Sequence, residues 1–329
     1  MTSNAIRTCP DGLRVKGQPG SLKGTIEPWN RGTVEPIQYR RVIAQMESVA
    51  IIGAGELGAT IARTLACRGR IGEIRLIDED VSVAAGKALD IQQAGPIERA
   101  DTRVSAFAEI AAAAGAGVVI IADRVPHGSG EWRGEAGLGL VKRLNGQDPA
   151  AVLLCAGGLQ RDLVERGIGE LRVPRERLIG SAPEAVASAV RVLVALEAGT
   201  SPGGVSLSVV GIPPDGIVVP WSEAAIAGCT LTSVLSPPQL TRVSRRVPAL
   251  WPPGPYALAS AAARVTEAIM IGSTRVFSCF VVPDGHLGVR RVACAFPVVL
   301  GRFGIERLWS PTLSVQEQVQ FENSVGGRY

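Results

Sequence analysis

The chain of 329 residues has few aromatic side chains and almost no histidine. Phe, Trp and Tyr together make up 4% of the residues, and the only histidines are His127 and His286. Because histidine is the side chain that ordinarily titrates near neutral pH, the sequence offers few candidates for acid–base chemistry. What it does contain is 46% hydrophobic residues, with Ala, Gly and Val prominent. This composition is typical of a globular chain in which helices pack closely on a parallel sheet, and the length suits two domains.

Cysteine pairs and long apolar runs are also absent. The six cysteines are scattered and form no Cys-x-x-Cys pair, which favours a reducing compartment and a protein without a metal site. No uninterrupted apolar run reaches the roughly 18 residues that a membrane-spanning helix needs. We therefore predict a cytoplasmic protein with no bound metal and no membrane partner.

The excess positive charge is confined to one end of the chain. The formal net charge is +4, and residues 1–45 carry the whole excess. A basic tail of this kind does not indicate a nucleic-acid surface on the folded body, so no nucleic-acid partner is predicted. Residues 1–45 are also rich in Gly, Pro and polar residues without periodicity, which predicts a disordered extension. An inert extension is favoured over a basic tether or a transit-like peptide.

The strongest local pattern is strand, glycine turn, helix and strand over residues 49–78. Gly53, Gly55 and Gly58 form a Gly-x-Gly-x-x-Gly turn, and the second strand ends at Asp78. The first glycine allows the sharp turn, the second lets a pyrophosphate approach the backbone, and the third lets the helix pack closely. The helix start attracts phosphate, and the acid can accept hydrogen bonds from a ribose diol. The pattern predicts NAD as cofactor; the alternative is a turn kept only for packing. The predicted cofactor contacts are Gly53, Gly55, Glu56, Leu57, Gly58, Asp78 and, at the end of the fourth strand, Ala122.

Strand and helix patterns continue to alternate up to about residue 180. We predict helices at 81–94, 107–114 and up to 145, and strands at 103–105, 118–122, 151–155 and 177–180. Such alternation predicts an α/β fold, a Rossmann-type doubly wound parallel sheet, over residues 46–180. Residues 181–329 predict a second, α+β domain. Its predicted elements are helices at 183–198, 257–271 and 312–325, a hairpin around 211–216, and strands at 275–282, 289–296 and 298–300.

Several segments together resemble the NAD-dependent lactate/malate dehydrogenase family over about residues 46–325. Besides the glycine turn and Asp78, they are residues 86–90 (GKALD), 218–222 (VVPWS), 266–269 (TEAI) and 297–304 (PVVLGRFG). The resemblance implies a Rossmann domain followed by an α+β substrate domain. It also implies a 2-keto acid as small-molecule ligand and assembly into dimers or tetramers.

The residues that would carry the family's chemistry are missing. Hydride transfer to a 2-keto acid needs a proton donor, a carboxylate that orients it and an arginine that clamps the substrate. Where the family has its catalytic histidine, this chain has Pro213, and it has Val186 and Ala189 at the positions of the acid and the arginine. A single loss would leave uncompensated buried polar groups. The joint replacement is therefore compatible with a stable apolar pocket, and no intact catalytic set is expected.

Two further segments differ from the family in part. The family's Pro-Arg-x-Pro-Gly-x-x-Arg loop aligns with residues 126–133, where Arg133 matches the second arginine and His127 replaces the first. Both are weak catalytic candidates, since loop residues of these types are commonly just exposed. The family's Thr-Ala-Gly turn reads Ala122-Asp123-Arg124 here. A glycine there allows close backbone approach, so Arg124 is expected either to change the backbone path or to grip a phosphate.

Three functional hypotheses follow from these observations. The favoured one is an NAD-binding pseudoenzyme that acts as a regulatory or scaffolding subunit, in a homo-oligomer or with an active relative. The second is an active NAD-dependent oxidoreductase on a 2-hydroxy or 2-keto acid, with relocated catalytic groups. The third is a structural oligomer that binds no ligand. His286 is interpreted as a surface-turn residue and Cys155 as a buried, unreactive thiol.

Overall fold

The computed structural model describes residues 48–125 and 130–326. The predicted basic extension at residues 1–45 and the catalytic candidate His127 lie outside these ranges.

The first half of the described chain alternates strands with helices. The strands are β1 (Ser48–Ile52), β2 (Glu73–Ile77), β3 (Arg103–Phe107), β4 (Val118–Ile121), β5 (Val152–Cys155) and β6 (Leu178–Gly180). The helices are α1 (Glu56–Arg68), α2 (Val81–Glu98), α3 (Gly134–Gln147) and α4 (Arg161–Gly169). The six strands pair in parallel in the order β3–β2–β1–β4–β5–β6. β1 and β4 are buried along their whole length, as expected for central strands of a parallel sheet with helices on its faces.

The second half is a mixture of helices and antiparallel strands. The helices are α5 (Ala182–Ala198), α6 (Leu231–Val234), α7 (Pro237–Arg246), α8 (Pro255–Ile271) and α9 (Val315–Gly326). The longer strands are β12 (Ser273–Val281), β13 (Cys294–Gly301) and β14 (Gly304–Leu308), and the shorter ones are β7 (Val205–Ser206), β8 (Val210–Ile212), β9 (Gly216–Val218), β10 (Ala225–Ile226) and β11 (Cys229–Thr230). β12, β13, β8 and β9 extend the parallel sheet beyond β6, and β7, β10 and β11 form a separate small sheet. The predicted α/β fold class, a Rossmann-type sheet with a C-terminal α+β part, is confirmed.

The two halves share one continuous sheet. The connection is the antiparallel pairing of β6 with β12, through Gly180 and Phe280. The predicted division near residue 180 stays a prediction, because the strand ladder crosses it without a break. In the parallel half, β1 lies between β2 and β4, where the strand order reverses. The carboxyl ends of these three strands meet at one edge, which is where ligands bind in open α/β sheets.

Some predicted elements differ from the structure. The helix predicted at 107–114 is wrong: Phe107 belongs to β3, where it pairs with Ile77 of β2, and only Ile110–Ala113 forms a short 3₁₀ turn. Residues 294–296 and 298–300 of the two predicted strands belong to a single strand, β13, which runs through Pro297, whereas residues 289–293 precede it and are not strand. The carbonyl oxygen of Pro297 accepts a hydrogen bond from the N–H of Trp309 (2.9 Å). Helices α4, α6 and α7 and strands β10, β11 and β14 were not predicted.

A search of the described helices finds none that combines the length and the apolar character needed to cross a membrane.

Candidate functional site

The glycine turn between β1 and α1 has a shape that only glycine supports. Gly53 has a φ of 107°, and a Cβ on it would lie 2.2 Å from the carbonyl oxygen of Asp123. A Cβ on Gly58 would lie 1.9 Å from the carbonyl oxygen of Gly53, so α1 begins in direct contact with the turn. From α2, the Lys87 ammonium donates a hydrogen bond to the carbonyl oxygen of Gly55 (3.1 Å). Packing on two sides therefore sets the path of the turn.

Asp78, the predicted ribose contact, lies at the end of β2 and is 7% exposed. Its Oδ2 accepts hydrogen bonds from the backbone N–H groups of Ala54 (2.8 Å) and Val125 (3.1 Å), and its Oδ1 accepts one from Asp80 (3.0 Å). A carboxylate has about four acceptor positions, so about one is left for a ribose hydroxyl. Asp78 thus also ties the glycine turn to the segment that follows β4.

A pocket opens beside Asp78 at the carboxyl ends of β1 and β2. Ile110 and Val125 contribute apolar side chains to the lining of the pocket, and Arg124 and Trp132 also line it. The Arg124 guanidinium carbon is 4.4 Å from the centroid of the Trp132 ring, and the Arg124 Nε is buried without a hydrogen-bond partner among the described residues. A carboxylate, a flat cation and an apolar wall are suited to a nucleoside. Arg124 therefore stacks on a tryptophan, and the two roles predicted for it, a changed backbone path or a grip on a phosphate, stay predictions. We refer to this space as the nucleoside pocket.

The carboxylate of Asp123 lies at the start of α1. Its Oδ2 accepts a hydrogen bond from the N–H of Leu57 (3.0 Å), and its Oδ1 accepts one from the N–H of Gly58 (2.8 Å). A Cβ built on Gly55 would lie 2.3 Å from that Oδ2, so the carboxylate fills the space beside this glycine. Gly55, the residue that caps the helix, has no side chain to satisfy these donors, and Asp123 does so from another part of the chain. We call the Leu57 and Gly58 N–H groups, with the space beside Gly55, the phosphate cradle.

A second carboxylate lies further along the same edge of the sheet. Glu131 accepts hydrogen bonds from the N–H groups of Gly158 (3.0 Å) and Leu159 (2.9 Å), in the loop after β5. A Cβ on Gly157 would lie 2.4 Å from the Glu131 carboxyl carbon. Burial raises the pKa of Glu131 above its ordinary value, although the two backbone hydrogen bonds act in the opposite direction. Glu131 and Asp123 also face each other through an antiparallel backbone bridge.

The region expected to hold the proton donor and the substrate clamp is lined by apolar side chains. Pro213 and Val186 contribute to its lining, together with Trp251 and Phe280, whose rings pack edge to face with centroids 5.9 Å apart. The remaining lining residues, Pro183, Val209, Ile217 and Ala295, are also apolar. These residues are compatible with the apolar pocket expected from the joint replacement. Among the lining side chains, the Trp251 indole carries a hydrogen-bond donor, but none titrates near neutral pH and none carries a positive charge that would pair with a carboxylate.

Arg191, the arginine two residues after the position expected for the substrate clamp, is held by other partners. It forms an ion pair with Glu184 (2.9 Å) and donates a hydrogen bond to the carbonyl oxygen of Leu207 (3.2 Å). Glu184 is 3% exposed and also accepts a hydrogen bond from the N–H of Ser278 (2.9 Å), so this pair belongs to the packing of α5 against β12. Ala189, at the clamp position, is half-buried on the same helix.

The other candidates from the sequence lie apart from this pocket. Arg133 is exposed, directly before α3. His286 is exposed in a surface turn, with its Nδ1 2.8 Å from the hydroxyl of Ser310, as predicted. Cys155 is fully buried, as predicted, and burial raises the pKa of its thiol to about 12, which disfavours the reactive thiolate at neutral pH. Within residues 48–125 and 130–326, no group of three or more His, Cys, Asp and Glu side chains could hold a metal ion.

Sequence reasoning missed Asp123 and Glu131. Arg124 is the more conspicuous residue of this segment in the sequence, because it replaces a glycine and a bulky residue there is expected to change the path of the backbone. The sequence does contain a signal for Asp123. It is an acid directly after a strand that is expected to end beside the glycine turn, and a helix N-terminus stabilises a nearby carboxylate. Glu131 had no such indication, because its two N–H partners follow a strand that comes later in the chain.

Comparison with known proteins agrees with this fold. Residues 47–140 match the family model for the lactate/malate dehydrogenase NAD binding domain, and residues 254–326 match that for the alpha/beta C-terminal domain. Malate dehydrogenase from Thioalkalivibrio sulfidiphilus is 31% identical over 298 residues, which covers 86% of this chain and 97% of the relative. Malate dehydrogenase from Sulfurimonas denitrificans is 28% identical, with coverage of 85% and 93%.

Solved structures share the same architecture. Malate dehydrogenase from Salinibacter ruber superposes with a TM-score of 0.77 at 24% identity, covering 85% of this chain and 94% of the other. Lactate dehydrogenase from Cryptosporidium parvum, complexed with lactic acid and nicotinamide adenine dinucleotide, superposes with a TM-score of 0.76 at 22% identity, covering 85% and 95%. The fold and the glycine turn define a dinucleotide-binding class of α/β protein. Within that class, the chain belongs to the lactate/malate dehydrogenase family.

The match of residues 47–140 to an NAD-binding domain supports NAD as the cofactor. The residues present fit only part of that molecule. The nucleoside pocket beside Asp78 suits an adenosine, and its carboxylate has about one acceptor position left for the ribose. The phosphate cradle does not fit a pyrophosphate while Asp123 accepts the hydrogen bonds of Leu57 and Gly58.

Proposed function

We propose that this chain is a pseudoenzyme of the lactate/malate dehydrogenase family, a nucleotide-binding regulatory or scaffolding subunit that does not reduce 2-keto acids. The observation that carries this proposal is the apolar lining of the pocket around Pro213 and Val186. A proline side chain can neither give nor take a proton, and a valine can neither orient an imidazole nor stabilise its cation. Hydride transfer to a carbonyl needs both functions at this place.

Without a proton donor and a substrate clamp, the reduction of a 2-keto acid is expected to be slower by several orders of magnitude. A positioned acid or base contributes about 10²–10⁴-fold, and orientation of the substrate contributes several further orders of magnitude. A 2-keto acid would also have to place its carboxylate against apolar side chains such as Trp251 and Phe280. Burying a charge without a partner costs several kcal/mol, so binding itself is opposed there.

NAD is the proposed ligand. Two observations support it: residues 47–140 match an NAD binding domain, and the nucleoside pocket lies beside Asp78. The relatives named malate dehydrogenase act on malate, whereas for this chain a 2-keto acid is proposed at most as a weakly bound small molecule. The regulatory or scaffolding role requires association, either as a homo-oligomer or with an active relative. Light scattering of the purified chain, alone and mixed with a malate dehydrogenase of the family, tests that association.

The decisive experiment combines a binding and a turnover measurement. NADH is titrated into the protein by calorimetry, and NADH oxidation is then followed with saturating oxaloacetate or pyruvate. We expect binding without turnover in the range of about 1–10³ s⁻¹ that is ordinary for enzymes. Turnover in that range would refute the proposal. In that case the variant His127→Ala distinguishes relocated catalytic groups, because its loss of activity would identify His127 as the proton donor.

A further inference from the structure

Two anionic groups compete for the same donors at the start of α1. The N–H groups of Leu57 and Gly58 each hold one proton, and each donates it to a carboxylate oxygen of Asp123, at 3.0 and 2.8 Å. The phosphate groups of a dinucleotide use these first-turn donors when the turn is used for binding. One N–H group cannot serve both anions with good geometry. Asp123 and a pyrophosphate therefore exclude each other.

The space is shared as well as the donors. A carbon built on Gly55 would meet the Asp123 side chain at 2.3–2.7 Å, on both carboxylate oxygens and the carboxyl carbon. Gly55 is the residue whose missing side chain leaves room for a pyrophosphate in this type of turn. Here that room is filled by the chain's own carboxylate. The backbone of Asp123 is held too, since its carbonyl oxygen accepts a hydrogen bond from the N–H of Gly55 (2.9 Å).

The nucleoside end of the groove is not affected in this way. Its polar edge is the Asp78 carboxylate, and Arg124 and Trp132 lie at its side. These residues would contact a base and a ribose, and none of them requires a phosphate. A neutral adenosine therefore fits without displacement of Asp123, whereas a dinucleotide requires the Asp123 side chain to leave the phosphate cradle.

We propose that Asp123 is an internal competitor of the cofactor's pyrophosphate and a specificity-determining residue of the groove. It lowers the affinity for phosphate-bearing nucleotides such as NAD(H) and leaves that for adenosine unchanged. The inference rests on the proposed binding of NAD, because it concerns the same groove. It assigns a role to a residue that does not contact the apolar pocket at all.

The test compares NADH and adenosine as probes of the full-length protein by calorimetry. The variants are Asp123→Ala, which removes the competing carboxylate, and Asp123→Asn, which keeps its size but removes its charge. We expect both to bind NADH more tightly than the wild type, by at least about tenfold for Asp123→Ala, because charge-assisted hydrogen bonds at a helix start no longer have to be broken. The affinity for adenosine should stay within about twofold.

Asp148→Ala is the matched control. Asp148 also accepts two backbone hydrogen bonds, from Gly115 and Ala150 (both 3.0 Å), but it lies away from the groove. This variant should lose a similar amount of stability with no change in NADH affinity, and thermal unfolding of all variants confirms that they fold. Unchanged or weaker NADH binding in both Asp123 variants would overturn the inference. If adenosine does not bind either, the proposed nucleotide site is also refuted. If adenosine binds but the Asp123 variants do not bind NADH more tightly, only the role of Asp123 is refuted.

Discussion

At the scale of single residues, two acids change what the groove can do. Asp123 and Glu131 both place a carboxylate on backbone N–H groups that lie beside a glycine, Gly55 in one case and Gly157 in the other. In both cases the carboxylate and the N–H groups that it binds belong to different segments of the chain. Glycines that leave room for a ligand therefore also leave room for the chain's own side chains.

The variant Glu131→Gln is expected to change how stability depends on pH. Burial raises the pKa of Glu131 in the folded protein above that in the unfolded chain, where it lies near 4.5. Between these two values the folded protein holds more protons, so the free energy of unfolding falls as the pH rises through this window. The wild type should thus lose stability relative to Glu131→Gln from about pH 4.5 upward, until the folded carboxyl is fully ionised. Urea denaturation of both proteins between pH 4 and pH 8 measures the difference, and a difference that is independent of pH would contradict the expectation.

At the scale of elements, the contact of α1 with the glycine turn is the tightest feature of the site. Helix α1 has no side-chain cap of its own at Gly55, and it begins against the carbonyl oxygen of Gly53. The cap is supplied across the sheet, from the segment after β4. At the start of this helix, α1, the glycine turn and the segment after β4 are therefore in contact, and Gly58 allows the close approach between α1 and the turn.

The variant Gly58→Ala tests this contact. The added methyl group would lie 1.9 Å from the backbone oxygen of Gly53, which is too close for either group to remain in place. We expect a loss of about 3 kcal/mol or more in the free energy of unfolding, because backbone atoms must shift to relieve the overlap. Denaturant unfolding gives the value.

Gly86→Ala serves as the control for the same substitution within a helix. Gly86 lies in α2, is exposed, and a Cβ on it would meet nothing within 4 Å. Alanine is the better helix former, so this variant should gain about 0.5–1 kcal/mol. Equal effects of the two variants would show that the contact with Gly53 is not tight.

At the scale of the whole molecule, the apolar pocket lies where the two halves of the sheet join. Phe280 lines the pocket, is fully buried, and belongs to the residue pair that connects β12 to β6. Gly180 is the strand-pairing partner of Phe280, and a Cβ added to it would lie 2.9 Å from the Cβ of Phe280. The space expected to hold substrate chemistry thus contributes to the hydrophobic core that spans both halves.

The variant Phe280→Ala is expected to lower the free energy of unfolding by about 3–5 kcal/mol, because it removes a buried ring and leaves a cavity. Since the residue joins both halves of the sheet, circular dichroism and tryptophan fluorescence should report the same shifted transition. Phe303→Ala is the control: Phe303 is 79% exposed, and its loss should change stability by no more than about 0.5 kcal/mol. A similar small effect of Phe280→Ala would show that the pocket does not contribute to the core.

The architecture could be predicted from the sequence alone, and the loss of the family's catalytic groups stays a prediction that the sequence makes. Alternating apolar runs and glycines are local patterns, and Pro213, Val186 and Ala189 are recognised by their spacing from such patterns. Local patterns failed where pairing with a neighbouring strand overrode them, as at residue 107, which joins β3 instead of a helix. They also failed at Pro297, where the strand continues past a residue that commonly ends one.

The sequence by itself determined the glycine turn and the apolar nature of the pocket, because both depend on residue types at short spacing. Only the tertiary structure decided what lies in the phosphate cradle. Asp123 is 66 residues from Leu57 and 65 from Gly58, and they meet only because β4 pairs with β1 in the folded sheet. Local propensity carries no information about which anion will reach a helix start. That outcome depends on the order of the strands, which is established only when the chain folds.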